Sequence, residues 1–164
     1  MKSIKRRRQE NKTDYQKRMR ILKGNLPRVV FRKTNRHIIS EYVVSDETKD
    51  RAEIGVTSKN LLKYGWPEKF KGSLKSIPAS YLTGFLIGKK IIKGKKETPI
   101  VDLGMTRNIH KSKAFAFLNG LVDAGLKIKH DKKTFPEEDR IKGKNLKEDF
   151  SKTFESIKSK VEKE

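Results

Sequence analysis

Arginine and lysine are the residues whose number and spacing point to chemistry in this chain, and that chemistry is the capture of phosphate. Arg6, Arg7 and Arg8 stand in a row, Arg18 and Arg20 follow, and each can hold a phosphate in its planar fork. Their plain alternative is solvated charge on a tail. Arg32, Asn35, Arg36 and His37 crowd one short turn, where Asn and His can also bond the base edges or 2′-hydroxyls of unpaired RNA. Asn35 can equally be the turn residue that tolerates a left-handed backbone. Lys59, Lys63 and Lys71 are interleaved with Tyr64, Trp66 and Phe70, rings that could stack on unpaired bases or pin a loop to a core. Phe70 is read as core, and Tyr64 and Trp66 are open between the two roles. Arg107, His110, Lys111 and Lys113 fall in a loop after a short apolar strand, the end at which open α/β sheets bind ligands.

Charge supports this reading. The chain has 164 residues, with 41 Lys and Arg against 20 Asp and Glu, a net +21. Met1 to Arg36 holds 14 of the cations against Glu10 and Asp14, so more than half of the excess lies in the first fifth of the sequence. Neutralising phosphates releases condensed counterions, and a basic arm of this kind is the footprint of a nucleic-acid binder. With no cysteine, disulfides and thiolate chemistry are excluded, which suits a reducing cytosol. The N-terminus is charged from Lys2 and does not read as a secretory signal. The apolar run Tyr81 to Ile87 is far shorter than the ~20 residues that span a bilayer, and the arm lacks the apolar face of an interfacial helix.

The elements that must position these residues can be read in order. The sequence divides into a basic arm (1–26), an α/β core (27–126) and a basic C-terminal extension ending in a helix (127–164). In the arm, Thr13 is placed to cap a short helix with Tyr15, Met19 and Leu22 on one side. Arg28–Lys33, His37–Val44 and Arg51–Thr57 are Val- and Ile-rich strands joined by short turns, hence an antiparallel meander, with Ala52, Ile54 and Val56 on one face of the third. Ser58 to Ser76 is long for a loop and rich in aromatics. Ser76-Ile77-Pro78 starts a helix that runs to about Ile92, with Leu82, Phe85 and Leu86 as its buried stripe and Gly84 and Gly88 letting it pack closely on a sheet. Pro99–Leu103 is a buried crossover strand, and Ala114–Ala124 a second helix capped by Gly125. The expected fold is therefore α/β, a mixed sheet of three antiparallel strands and one parallel crossover strand with packed helices. Lys127–Lys144 reads as irregular. Asn145 with Glu148 has the spacing of a capping box before a helix whose stripe is Leu146, Phe150, Phe154, Ile157 and Val161, to be buried on the core, the default, or on a partner.

The same residues bear on two other classes of function. A metal-dependent nuclease needs clustered carboxylates. Only Asp102, Glu41 and Glu53 fall on neighbouring strands, and Asp102 better suits capping backbone or pairing with a base. A general basic RNA- or DNA-binding protein would share the charge but not the Asn-Arg-His turn.

Phe31-Arg32-Lys33-Thr34-Asn35-Arg36-His37-Ile38-Ile39 resembles the hairpin of the large-subunit ribosomal protein L-eighteen family, the universal 5S rRNA binders, related to eukaryotic L-five. Three further stretches are similar in the same order. They are Arg6-Arg7-Arg8 with Lys12-Thr13-Asp14-Tyr15, then Lys63-Tyr64-Gly65 with Ala79–Gly84, then Val101–Gly104 with Asn119–Leu126. The likeness covers about residues 5–136 and is to the archaeal type, with an arm and middle loop longer than the bacterial pattern. The tail after Arg140 matches nothing in it. The resemblance implies a structural protein that joins 5S rRNA to 23S rRNA in the central protuberance of the large subunit, in the cytoplasm, beside neighbouring ribosomal proteins. It implies no reaction, cofactor, metal, membrane or small-molecule substrate. It adds Lys12 and Tyr15 to the residues expected on RNA.

Overall fold

In the computed structural model, which describes residues 3–46, 49–146 and 149–163, alternation of apolar and polar residues builds a four-stranded sheet. β1 (Arg28–Lys33) and β2 (Ile38–Asp46) pair antiparallel around a four-residue turn, and β3 (Lys49–Thr57) pairs antiparallel with β2. β4 (Ile100–Asp102) joins the far side of β1 in parallel, giving the order β3-β2-β1-β4. The mixed sheet is thus the one expected. The third strand alternates less cleanly than its sequence suggests. The pairing jumps from Tyr42–Ile54 to Val43–Ala52, leaving Glu53 as an extra residue. Such a bulge turns the preceding residues over, and Ala52 is exposed where the alternation puts it in the core.

α3 (Ile77–Lys93) begins where expected, with the Ser76 hydroxyl accepting from the Ala79 N–H at 3.4 Å and Pro78 in the first turn. It carries more than a buried stripe, since every residue from Pro78 to Gly88 is buried. The sheet covers one side of α3, and α4 (Lys113–Asp123) and α6 (Ser151–Glu162) cover others. The two glycines of α3 therefore do not pack on the sheet. A Cβ on Gly84 would lie 2.3 Å from the Phe117 carbonyl oxygen, and one on Gly88 would lie 2.5 Å from the Ala124 Cβ. Gly120 answers from α4, with Tyr81 O at 2.2 Å from an added Cβ. Helix backbones touch at these points, and only Gly permits that approach.

The long connection after β3 is ordered. It forms 3-10 turns over Ser58–Tyr64 and Glu68–Ser73, separated by Gly65 at φ +98°. Leu61, Trp66 and Leu74 drop from it into the core. The segment read as irregular contains another 3-10 turn (Lys132–Thr134) and the short α5 (Glu138–Lys142). α6 starts at Ser151, where Asp149 accepts from the Ser151 N–H at 2.9 Å. That is later than the Asn145–Glu148 capping box implies, and Glu148 lies outside the described residues. The stripe of α6 is buried as expected. Phe150 meets Trp66 at 4.7 Å and Phe154 meets Tyr81 at 5.4 Å between ring centroids. Ile141, Phe150, Phe154, Ile157 and Val161 belong to the same buried cluster as Phe31 and Leu82, so the extension completes the core of the α/β unit. Among the described residues no helix is long and apolar enough to cross a membrane.

Candidate nucleic-acid interface

The period of two along a strand places Arg28 and Arg32 on the sheet face turned away from α3. Ser45, Asp50 and Asp102 arrive on that face from the other three strands. There they form one network. Asp102 accepts from the Gly104 N–H at 2.8 Å and from Arg32 at 3.0 Å, with Arg28 at 3.7 Å. Asp50 accepts from Arg28 at 2.8 Å, from the Ser45 hydroxyl at 2.9 Å and from Arg18 at 2.6 Å. Burial pushes the Asp102 carboxyl up, but the Gly104 N–H and the Arg32 and Arg28 charges outweigh it and hold the group below its ordinary range. Asp50 is lowered in the same way, with Arg18, Ser45 and Arg28 outweighing its burial. Asp102 thus both caps backbone and pairs with a base, as its sequence context suggests. Glu53 is paired with Lys96 at 2.9 Å, and among the described residues no group of three His, Asp or Glu could hold a metal ion.

The basic arm docks onto this network. α1 (Arg6–Gln9) is a single exposed turn, and α2 (Tyr15–Leu22) follows. The cap of α2 is Asp14, whose carboxylate accepts from the Gln16 and Lys17 N–H groups at 3.0 and 3.1 Å. Thr13, the residue expected there, accepts from Arg7 at 2.9 Å instead. A carboxylate at the position next to the helix opposes the dipole more strongly than a hydroxyl. From α2, Lys17 donates to the Gly104 carbonyl at 3.1 Å and Arg18 reaches Asp50. Arg6 and Lys12 share Glu10 at 2.9 and 2.7 Å, and Lys5 sits 4.6 Å above the Tyr15 ring. Arg8 and Arg20 are exposed and form no ion pair among the described residues.

The β1–β2 turn is tied by Thr34, whose hydroxyl donates to the His37 carbonyl at 2.7 Å and accepts from the His37 N–H at 3.0 Å. That leaves Asn35 and Arg36 exposed at the tip, with His37 half-buried. Asn35 keeps out of the left-handed region, so its presence is not explained by a backbone requirement. Arg32 lies one strand residue below the turn, nearly half exposed, with its guanidinium held on Asp102.

At this same C-terminal end, β1 and β4 open into a groove of about 660 Å³. Its floor is apolar, with Ile77, Leu103, Met105 and Ile109, the last two more than half exposed. Its rim is cationic, with Lys12, Lys33, Arg107, Lys111, Lys113 and Arg140. Lys111 also reaches Glu137 at 2.7 Å, and Lys113 stands in the first turn of α4 rather than in the preceding loop. His110 turns edge-on to Phe115 at 5.9 Å and does not line the groove. The middle segment lies apart from it. Lys59, Lys63 and Lys71 are exposed, but Tyr64 packs half-buried on the core. Trp66 is 3% exposed, its indole donating to the Phe70 carbonyl at 3.1 Å, and it has no ring face open to a base. Packing therefore wins for Trp66, because Phe150 from the C-terminal extension covers it.

Several residues of this surface escape a sequence reading. Arg28 is 2% exposed, and only the Arg28–Arg32 spacing along one strand face hints at its role. Arg140 carries no motif, and Lys33, inside the hairpin motif, is not singled out by it. Met105 and Ile109 are apolar residues in a polar loop, a signal visible in the sequence.

Known proteins match this chain over most of its length. The family described as ribosomal large subunit proteins 60S L5 and 50S L18 matches residues 1–99. A large ribosomal subunit protein uL18 of Methanospirillum hungatei is 38% identical over 143 residues, 87% of this chain and 79% of that protein. The protein of that name from Korarchaeum cryptofilum is 41% identical, over 86% of this chain and 70% of its own length. The one from Methanoregula boonei is 36% identical, over 97% and 92%. The order arm, hairpin, α3, β4 and α4, together with these matches, leads to one conclusion: the chain belongs to the family of ribosomal large subunit proteins 60S L5 and 50S L18.

Proposed function

We propose that this chain, a structural protein of the large ribosomal subunit with no reaction of its own, binds 5S rRNA and ties it to 23S rRNA in the central protuberance, beside neighbouring ribosomal proteins. The observation that carries the reading is the groove at the strand ends. Its cationic rim suits phosphates, and its apolar floor suits a base lifted out of the stack. The arm, clamped on the adjoining sheet face by Lys17 and Arg18, adds Arg6, Arg7, Arg8, Lys12 and Arg20 as phosphate contacts. Asn35, Arg36 and His37 supply a second point of contact with polar groups that can read bases.

A competition assay at near-physiological salt tests this. Labelled 5S rRNA from the same source is expected to stay bound against excess tRNA and duplex DNA. Deleting residues 1–23 is expected to weaken binding and flatten its salt dependence. Easy displacement of 5S rRNA by tRNA or DNA would overturn the 5S reading and leave a general polyanion binder.

A further inference from the structure

The two segments added to the α/β core are held to it in different ways. The C-terminal extension is fixed by packing, with Phe150, Phe154, Ile157 and Val161 buried. The N-terminal arm is not, since no residue from Ser3 to Leu26 is buried and Met19 is 61% exposed. A polar cavity of about 90 Å³ lies beneath it, lined from the arm by Arg7, Thr13 and Lys17 and from the core by Arg32, Asp102 and Gly104. The arm is tied instead to itself. Arg6 and Lys12 meet on Glu10, Arg7 donates to Thr13, and Asp14 caps α2. These contacts would travel with the arm if it left the core.

What fastens α2 to the sheet is polar and reachable by solvent. Lys17 donates to the Gly104 carbonyl at 3.1 Å, and Arg18 meets Asp50 at 2.6 Å. The Arg18 and Asp50 side chains are 39% and 34% exposed, so water and salt screen the pair. Breaking an ion pair is expensive when it strands a buried charge. Here it strands none, because Asp50 keeps the buried Arg28 at 2.8 Å and the Ser45 hydroxyl at 2.9 Å. Between α2 and β1 the chain turns at Gly24 and at Asn25, which stands in the left-handed region at φ +48°. The arm thus has a pivot, an internal structure of its own and a weak fastening.

We propose that the arm is a strap latched on Asp50, whose carboxylate holds the Arg18 fork until an RNA phosphate replaces it and the arm swings away about Gly24 and Asn25. The clamp is the state of the free chain. Carboxylate and phosphate both offer paired oxygens to Arg, so Asp50 competes directly for the group it stores. On release Asp50 stays with Arg28 and Ser45, while Lys17 and Arg18 join the cations open to phosphate. This rests on the RNA-binding reading for what opens the strap, but not for the latch itself.

The test measures one distance in the full chain. The sequence has no cysteine, so spin labels on Met19→Cys and Ala52→Cys, both exposed positions, report the gap between α2 and β3 alone. A single short distance is expected in the free chain, and a longer, broader distribution with 5S rRNA bound. Arg18→Gln, which leaves the partners of Arg28 in place, is expected to broaden the distribution without RNA. Asp50→Asn, checked as folded, is expected to bind RNA about threefold more tightly, the size of one exposed ion pair that no longer competes. A broad distribution in the natural free chain, a short distance kept in Arg18→Gln or in the RNA complex, or unchanged or weaker binding by folded Asp50→Asn would overturn the strap. If the arm opens equally on 5S rRNA, tRNA and duplex DNA, and these displace one another, the strap stands and the 5S reading falls. If 5S rRNA resists that competition while the short distance persists, the strap falls and the 5S reading stands.

Discussion

Replacing Asp102 by Asn tests whether the outer sheet face is held together by its buried charge network. The substitution keeps the size of the side chain and its acceptor for the Gly104 N–H, while turning an NH2 group toward the guanidinium of Arg32. The main loss falls on Arg28, which is 2% exposed and cannot recover its charge compensation from water. Breaking a fully buried ion pair costs about 3–5 kcal/mol. Arg28 keeps Asp50 at 2.8 Å, so about 2–3 kcal/mol is the expected cost here. With a urea slope of about 2 kcal/mol per molar, the unfolding midpoint would fall by about 1–1.5 M. Arg32 is closer to Asp102 than Arg28 is, but it is nearly half exposed, and solvent discounts it. A double-mutant cycle between Asp102 and Arg32 is therefore expected to give below about 1 kcal/mol. The network also predicts a pH dependence. Asp50 and Asp102 titrate below the ordinary Asp value of 3.8. Their stabilising effect is complete above that pH and is lost as pH falls through the depressed values. D102N is expected to lose stability less steeply below pH 3.8 than the natural chain. A midpoint for D102N within experimental error of the natural one would refute the reasoning, since Arg28 would then be compensated without Asp102.

Two further perturbations separate packing from binding. Gly84→Ala drives a Cβ to 2.3 Å from the Phe117 carbonyl oxygen, and about 3 kcal/mol of destabilisation is expected in urea unfolding. Gly72→Ala, with nothing within 4 Å of the added atom, is the control and should stay within about 0.5 kcal/mol. Trp66 is the chain's single tryptophan, so its emission reports its own surroundings. Saturation with RNA should leave that emission nearly unchanged, and strong quenching would mean that a base reaches the indole.

The fold was legible in the sequence wherever a local pattern decides an element. Alternating Val and Ile residues mark the strands, and Ser76, Pro78, Gly94 and Gly125 bound α3 and α4 within a residue or two of the expected limits. Patterns that depend on a partner were not legible. Gly84 and Gly88 announce a close approach without saying to what, and the neighbour turned out to be α4, whose own Gly120 makes room for it. Glu53 reads as an ordinary strand residue, and only pairing with β2 turns it into a bulge. Asp14 rather than Thr13 caps α2, and the sequence does not separate them because both residue types cap helices and they are adjacent.

The sequence by itself determined that this chain carries a large positive excess, where most of it lies, and the order of elements that follow it. Those properties are sums over residues or local periods, and no distant contact alters them. Only the tertiary structure decided which cations remain available to a polyanion. Asp50 and Asp102 lie 22 and 74 residues from Arg28 in the chain, yet they enclose it on one sheet face, where they also pair with the more exposed Arg18 and Arg32. Lys33 and Lys113, equally far apart in the chain, are brought to the rim of one groove and form no ion pair among the described residues. Strand pairing and parallel helices set these distances, and in a field that decays over a few ångströms it is distance, not composition, that divides structural charge from charge left for a ligand.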